Sequence, residues 1–165
     1  MGCLVANLIQ LEGDLHCLIG YVRVQYNISS NIYVLEHGNE VVLIDSGSAT
    51  QAKKLLPLLE GKKIRAILLT HGHFDHVNGV PEFNAPAYAS EFDATHLREL
   101  NPFFSDYSPP QVSCMDFANY SFGDFNLRVI PTPGHTHGSI SFFDSARGLL
   151  FSGDTLFARG VHGII

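Results

Sequence analysis

Residues 71–76, which read HGHFDH, restrict the fold of this chain more than any other stretch of its 165 residues. Three of the nine histidines fall within these six positions, together with an aspartate. Side chains two positions apart in an extended segment point the same way, so His71 and His73 can hold one cation. Asp75 and His76 are adjacent, point in different directions and suit a second cation beside the first. The pattern predicts a metal site, and the fold must bring further ligands to it.

Two later segments place ligand residues directly after predicted strands. His135 lies in a loop stiffened by Pro and Gly, after a predicted strand over residues 127–130. Asp154 follows a predicted strand over residues 149–151. Open sheets collect ligand sites at the C-terminal ends of their strands, so we expect both side chains to join the site. Imidazole and carboxylate ligands fit zinc, manganese or iron, and these segments contain no thiolate that would narrow the choice.

The first half of the chain is rich in predicted strands. Residues 6–20 and 31–44 each contain two apolar runs around a turn with glycine, the pattern of a β-hairpin. Ser48 begins a predicted helix with a capping box and an apolar stripe of helical period, and Gly61 ends it. Residues 64–69 then form a predicted buried strand that leads into the histidine motif.

The second half is less regular. A helix is predicted over residues 91–100. Residues 102–117 are rich in aromatic residues and proline, and form either a lid over a pocket or a loop wrapped on the surface. Strands are predicted over residues 127–130, 139–143 and 149–151. The order of elements predicts a mixed sheet covered by helices, in the α/β (α+β) class.

Length and composition predict one soluble domain over residues 1–165. The net charge is −6 and no run of Lys or Arg exceeds two, which argues against a nucleic-acid partner. The N-terminus lacks a signal-peptide pattern, and no apolar run reaches membrane-spanning length. Cys3, Cys17 and Cys114 have no CxxC spacing and are expected to be buried and reduced. We therefore expect a cytoplasmic protein with a small-molecule substrate and no membrane partner.

Over residues 30–160 the chain resembles the metallo-β-lactamase superfamily. The HxHxDH hallmark is followed in order by Pro-Gly-His-Thr and Ser-Gly-Asp-Thr segments at residues 133–136 and 152–155, and an Asp-Ser-Gly element at 45–47 precedes it. The resemblance implies an αββα sandwich of mixed sheets with the site at the edge between them. It further implies that Asp45 supports the metal loop from behind. The implied ligand set is His71, His73 and His135 on metal 1, Asp75 and His76 on metal 2, and Asp154 as the bridge.

Within that superfamily the chain is similar to the glyoxalase II-like (hydroxyacylglutathione hydrolase-like) hydrolases, because they share the aspartate found at position 154. The resemblance implies a hydrolase with one or two Zn²⁺ ions, Fe and Mn being the alternatives. A metal-bound hydroxide would attack a thioester or a related ester or lactone carbonyl, and catalytic Asp75 would orient that hydroxide. A mononuclear iron oxidoreductase resembling the persulfide dioxygenases is the first alternative. An inactive fragment is the second, and an RNA-processing nuclease is disfavoured by the acidic composition.

The chain departs from the family pattern after Asp154. The family has one more histidine well downstream, whereas this sequence ends at Ile165, and His162 is predicted not to be a ligand. The second half of the sandwich is therefore expected to be incomplete, lacking its C-terminal strand and helix segment. We expect either a C-terminally truncated form of a longer protein or a homo-oligomer in which a partner subunit completes the open sheet edge.

Overall fold

Two β-sheets stack face to face in the computed structural model, which describes residues 8–18, 30–104 and 106–157. Cys3 and His162 lie outside these residues. The prediction that His162 is not a ligand therefore stays a prediction. The larger sheet has seven strands in chain order: β1 (Leu8–Glu12), β2 (Leu15–Leu18), β3 (Ile32–His37), β4 (Glu40–Ile44), β5 (Lys63–Leu68), β6 (Ala87–Ala89) and β7 (Ser113–Cys114). The smaller sheet has four strands, with β11 (Leu149–Phe151), β10 (Ile140–Asp144), β9 (Phe125–Pro131) and β8 (Asn119–Phe122) side by side.

The larger sheet is mixed, as the sequence predicts. β1 to β4 pair antiparallel, and β4 to β7 pair parallel. Both predicted hairpins are present within the described residues, and Gly38 adopts a left-handed φ of 60° in the turn of the second. The parallel half brings the carboxyl ends of β4, β5 and β6 to one edge of the sheet, where open sheets place their ligands.

The space between the sheets is filled by apolar side chains from both. Leu35, Ile44 and Leu68 of the larger sheet meet Phe125 and Phe142 of the smaller one, and all five are at most 1% exposed. Burial of each such side chain contributes about 1.5–3 kcal/mol relative to exposure. This layer fixes the distance between the two sheets and therefore between the loops that leave them.

A second core lies between the larger sheet and the helices. Helix α1 (Ala49–Leu55) begins at Ser48, whose hydroxyl accepts from the Gln51 amide while the Gln51 side chain accepts from the Ser48 amide, as the predicted capping box requires. The α-helix ends earlier than predicted, because Pro57 has no amide hydrogen with which to continue it. A 3₁₀ turn, Leu56–Leu59, carries the chain on toward Gly61.

The prediction of a helix over residues 91–100 is wrong in its length. Helix α3 spans only Glu91–Thr95. The Thr95 hydroxyl donates back to the carbonyl oxygens of Glu91 and Phe92, and His96 leaves the helical region at φ −120° and ψ 25°. The side chain of Asn101 then donates to the carbonyl of Leu97, so that the predicted last turns of the helix become an irregular segment.

Within its described residues, the aromatic segment 102–117 packs against the histidine motif and also lines an open groove beside Phe74, so both expected roles stay open. The Phe104 ring stacks on Phe74 of helix α2 (Phe74–Val77), with centroids 4.0 Å apart, and Tyr107 is 5% exposed. The segment also contributes β7, which the sequence did not predict, to the sheet. Phe103 alone of these aromatic residues is almost fully exposed, at 94%.

The observed layers agree with the mixed sandwich expected from the resemblance. The three α-helices pack against the larger sheet, and none within the described residues lies over the outer face of the smaller sheet. In the same residues no helix is both long and apolar enough to cross a membrane. One prediction is wrong: Cys17 is buried, but Cys114 lies exposed on β7, a two-residue strand at the edge of the larger sheet. The single-domain, cytoplasmic and oligomer assignments stay predictions.

The alternation along β10 gives a test of the inter-sheet packing. Phe142 is fully buried between the sheets, whereas Phe143 points to the opposite face and is part exposed. Phe142→Ala is expected to lower the free energy of unfolding by about 3–5 kcal/mol. The matched variant Phe143→Ala should cost less than half as much. Urea unfolding measures both, and equal losses would contradict the assigned strand orientation.

Candidate metal centre

The ligand residues meet where strands of both sheets end. His71 follows β5, His135 follows β9 and Asp154 follows β11. The Ile140 amide at the start of β10 donates to the Thr70 carbonyl at 2.9 Å and so joins the two sheets beside the site. Gly153 lies so close to Thr70 that a Cβ would come within 2.4 Å of its hydroxyl oxygen. These three ligand residues therefore lie directly after strands, as the sequence predicted.

The first group of ligand atoms consists of three imidazoles. One ring nitrogen each from His71, His73 and His135 lies within 4.8 Å of the others. His73 Nδ1 and His135 Nε2 are 2.8 Å apart. Nitrogens bound to one tetrahedral zinc at 2.0–2.1 Å lie about 3.4 Å apart, so a small separation of the two rings accommodates an ion.

The second group shares His71 with the first. His71, His76 and Asp154 each offer one ligand atom within 4.8 Å of the others. Asp154 Oδ1 is 3.2 Å from His76 Nε2, and its other oxygen is 3.5 Å from His135 Nε2. The carboxylate therefore lies between the two groups, in the position expected of a bridge.

Asp75 lies at the edge of this cluster. Its Oδ2 is 3.8 Å from His76 Nε2, and its side chain is 20% exposed. Asp75 belongs to neither group of mutually close ligand atoms in the described residues. The structure thus brings together five of the six predicted ligands closely and the sixth loosely, and their binding of a metal stays a prediction.

Two buried nitrogens in the cluster have unmet bonding capacity. Within the described residues, His71 Nε2 and His76 Nε2 are fully buried and have no aligned hydrogen-bond partner. Leaving such a group unsatisfied costs about 1–3 kcal/mol. Both atoms point into a cluster of imidazoles and carboxylates, a donor set that suits zinc and similar cations. The residues present therefore fit a metal ion.

The protonation states of the two buried imidazoles diverge. Burial, with the nearby rings of His76, His73 and His135, holds the pKa of His71 well below its usual value. Burial also opposes charge on His76, but the attraction of Asp45 and Asp154 outweighs it and raises the pKa of His76. Despite burial, the contact with His76 lowers the pKa of Asp154. His71 therefore presents a free lone pair at neutral pH.

Asp45 supports the histidine loop from behind, as the resemblance implied. Its Oδ1 accepts from the Thr70 amide at 2.8 Å, and its Oδ2 accepts from the Thr70 hydroxyl at 2.9 Å and lies 2.8 Å from His76 Nδ1. Among the described residues other than glycine, Asp45 alone has a positive φ, of 60°. The neighbouring Ser46 amide and hydroxyl both donate to the His76 carbonyl. His76 is therefore held at its backbone and at Nδ1, with Nε2 directed to the cluster.

Sequence reasoning missed two supports of the same loop. Asn101 accepts from the Phe74 amide at 2.6 Å and donates to the Gly72 carbonyl at 2.9 Å. Asp93 accepts from the Gly72 amide at 2.7 Å. In the sequence, Asp93 stands three residues after Ser90, a spacing found at ordinary helix starts. That spacing indicates a helix start and does not indicate a contact with the histidine loop.

Comparison with known proteins gives a consistent family. The family profile "Metallo-beta-lactamase superfamily" matches residues 26–162. A hydroxyacylglutathione hydrolase of Aeromonas hydrophila is 35% identical over 130 residues, which are 78% of this chain and 47% of that protein. The chain thus spans about half the length of that relative. An atrochrysone carboxyl ACP thioesterase of Aspergillus fumigatus is 30% identical, over 82% of this chain and 42% of that protein.

Solved structures agree with these sequence relatives. The BLEG-1 B3 metallo-beta-lactamase is 32% identical with a TM-score of 0.66, and the match covers 80% of this chain and 70% of that one. A metallo-beta-lactamase from Pontibacter korlensis is 20% identical with a TM-score of 0.77, over 94% of this chain and 74% of that one. The second likeness shows the fold.

The opposed pKa shifts predict the titration of the metal-free protein. His76 is expected to stay charged above the ordinary histidine pKa, so its contribution to stability is present at low pH and is lost as pH rises through its raised pKa. His71 is expected to stay neutral, so its burial destabilises the fold as pH falls below the ordinary value. NMR of the imidazole nitrogens across a pH series measures both.

The variant Asp45→Asn tests whether the charge of Asp45 raises the pKa of His76. Asparagine tolerates the left-handed backbone but carries no charge, so the pKa of His76 should fall. Asp124→Asn, which alters an 80% exposed carboxylate, should leave the pKa of His76 unchanged. If His71 and His76 titrate together at the ordinary value, the proposed electrostatics are wrong.

Proposed function

Because the chain belongs to the metallo-β-lactamase superfamily, we propose that it is a metal-dependent hydrolase of thioesters. The observation that carries the proposal is the pair of ligand groups that share His71, whose buried Nε2 has no hydrogen-bond partner in the described residues. The second group adds a carboxylate, Asp154, that faces both. This is the donor set of a site for one or two hydrolytic metal ions.

In this proposal, His71, His73 and His135 would hold one Zn²⁺ ion, Asp75 and His76 would hold a second, and Asp154 would serve both. With zinc bound there, the site would have a Lewis acid to polarise a carbonyl and to lower the pKa of a bound water to about 7. Fe and Mn suit the same donor atoms and are tested alongside zinc.

The side chains of the chain itself prepare this site. The lowered pKa of His71 keeps its ring neutral, the form that binds a cation. Asp45 faces Nδ1 of His76, which would keep a proton on Nδ1, and a metal at Nε2 would displace the second proton that the raised pKa of His76 retains in the metal-free protein. Asp75, at the exposed margin of the cluster, is placed to hold the proton of the attacking water and orient its lone pair.

The proposed substrate class rests on the relatives and on one groove. The names of two relatives denote a hydrolase of hydroxyacylglutathione and a thioesterase, both of which indicate an S-acyl substrate. An open groove of about 560 Å³ is lined by Phe74, which stands between His73 and Asp75 in the sequence, and by Phe104 and Tyr107. Its aromatic wall offers an apolar surface to the acyl part of such a substrate.

A mononuclear iron oxidoreductase acting on persulfides is the second candidate. The observation that favours it is the loose position of Asp75, which leaves the second group with fewer close ligands than a dinuclear site uses. Metal analysis and oxygen uptake distinguish the two candidates. Iron as the retained metal, with oxygen consumption in the presence of a persulfide, would replace the hydrolase proposal.

Thioester hydrolysis by the zinc-loaded protein tests the main proposal. With S-lactoylglutathione as substrate, we expect turnover that is lost on treatment with a chelator and restored by Zn²⁺. His135→Ala should lower kcat/KM by more than about a hundredfold, since loss of a supporting residue alone costs 10–100-fold. His137→Ala, which removes an exposed histidine two residues further along the same loop, should leave kcat/KM unchanged.

Other outcomes of that assay are equally decisive. A β-lactam is assayed in parallel, because the solved B3 metallo-beta-lactamase is 32% identical over the matched residues. Faster cleavage of the β-lactam would change the substrate class but retain the hydrolase. Metal retention without turnover of any of these substrates would favour the inactive fragment.

A further inference from the structure

Asp93 is a buried carboxylate that touches both histidine loops and belongs to neither ligand group. It lies in the first turn of α3 and is completely buried. We propose that Asp93 is a positioning residue that sets the spacing of His73 and His135 and thereby the affinity and geometry of the first metal site. The inference rests on the metal site of the proposed function but not on its substrate.

The contacts of Asp93 connect the two loops directly. Its Oδ2 accepts from the Gly72 amide, between His71 and His73, at 2.7 Å. The same oxygen accepts from the hydroxyl of Thr136, the neighbour of His135, at 2.8 Å. Its Oδ1 accepts from the Gly138 amide at 3.1 Å. One side chain therefore holds residues adjacent to all three ligands of the first group.

Two glycines allow this approach by lacking a side chain. A Cβ on Gly138 would lie 2.3 Å from Asp93 Oδ1, and a Cβ on Gly72 would lie 3.4 Å from Asp93 Cβ and 2.6 Å from Leu100 Cδ1. Neither glycine has a positive φ, so backbone conformation does not require glycine at these positions. Glycine is required there because a side chain would occupy the space of the Asp93 carboxylate and of the segment after α3.

Hydrogen bonds to a buried charge are suited to this task. No Lys or Arg forms an ion pair with Asp93 in the part of the chain that the structure describes, and its three donors take the place of a cation. Charge-assisted hydrogen bonds are roughly twice as strong as neutral ones, so loop movements that lengthen them are opposed.

The two ligand groups share His71 but differ in which carboxylate holds their other histidines. The first group draws its ligands from both loops that Asp93 joins, and its closest pair of atoms, His73 Nδ1 and His135 Nε2, spans them at 2.8 Å. In the second group, His76 is held by Asp45. Removal of the charge on Asp93 should therefore loosen the first group more than the second.

Asp93→Asn tests the proposal on the full chain. The amide keeps the shape but places an NH₂ group against at least one donor. We expect the affinity for the first Zn²⁺ ion, measured by competition with a chromophoric chelator, to fall about 10–100-fold. The visible spectrum of the Co²⁺-substituted protein should change as well, because it reports the ligand geometry that Asp93 is proposed to set.

Asp144→Asn is the matched control. Asp144 is also completely buried and accepts from the backbone amides of Asn126, Ala146 and Arg147, at the turn after β10. It should lower the melting temperature of the metal-free protein as Asp93→Asn does, but leave the Zn²⁺ affinity and the Co²⁺ spectrum unchanged. Equal metal affinity and spectra in the two variants would overturn the proposal.

A milder variant keeps the test decisive if Asp93→Asn does not fold. Thr136→Val retains the side-chain shape and removes the hydroxyl that donates to Asp93, so Zn²⁺ affinity should fall several-fold with the fold intact. Unchanged affinity in that variant would overturn the inference. Wild-type protein that binds no metal would overturn both proposals. Metal binding that depends on Asp93, without thioester turnover, would overturn only the proposed substrate.

Discussion

The hydrogen bonds of Asp45 are the constraint on which the candidate site depends. This one carboxylate follows β4, accepts hydrogen bonds from Thr70 after β5 and faces Nδ1 of His76 in α2, so a single group connects three elements of the fold. Its left-handed backbone carries a conformational cost, which the three contacts offset. Because Asp45 holds the loop between β5 and α2 by hydrogen bonds, the imidazoles of the motif can face one another instead of hydrogen-bonding to other groups.

Asp93 complements this arrangement from the opposite side of the loop. Asp45 acts on the end of the motif at His76, whereas Asp93 acts on its middle at Gly72 and connects it to the loop of His135. Two buried carboxylates thus orient the imidazoles without occupying a ligand position. The protein retains buried charge here because directed hydrogen bonds fix loop geometry more narrowly than apolar packing does.

The sequence predicted the parts of the structure that local chemistry decides. The hairpins, the capping box at Ser48 and the placement of His71, His135 and Asp154 after strands all follow from patterns within short segments. The length of α3 was missed because Thr95 and Asn101 compete for carbonyl groups that a helix would use. The short strand β7 exists only through its pairing with β6, a contact between distant residues. Asp93 was missed for the same reason, since its partners lie 21 to 45 positions away.

The shared edge of the two sheets has a consequence for the lifetime of the protein. His71 follows a strand of the larger sheet, and His135 and Asp154 follow strands of the smaller one. An ion bound among them would therefore connect the two sheets. Binding to the native state alone raises stability by about 2.7 kcal/mol when the free ion is at a hundred times its dissociation constant. A cell depleted of that ion would then present a looser sandwich to its proteases. Loss of the ion would then lower the abundance of the protein through faster degradation.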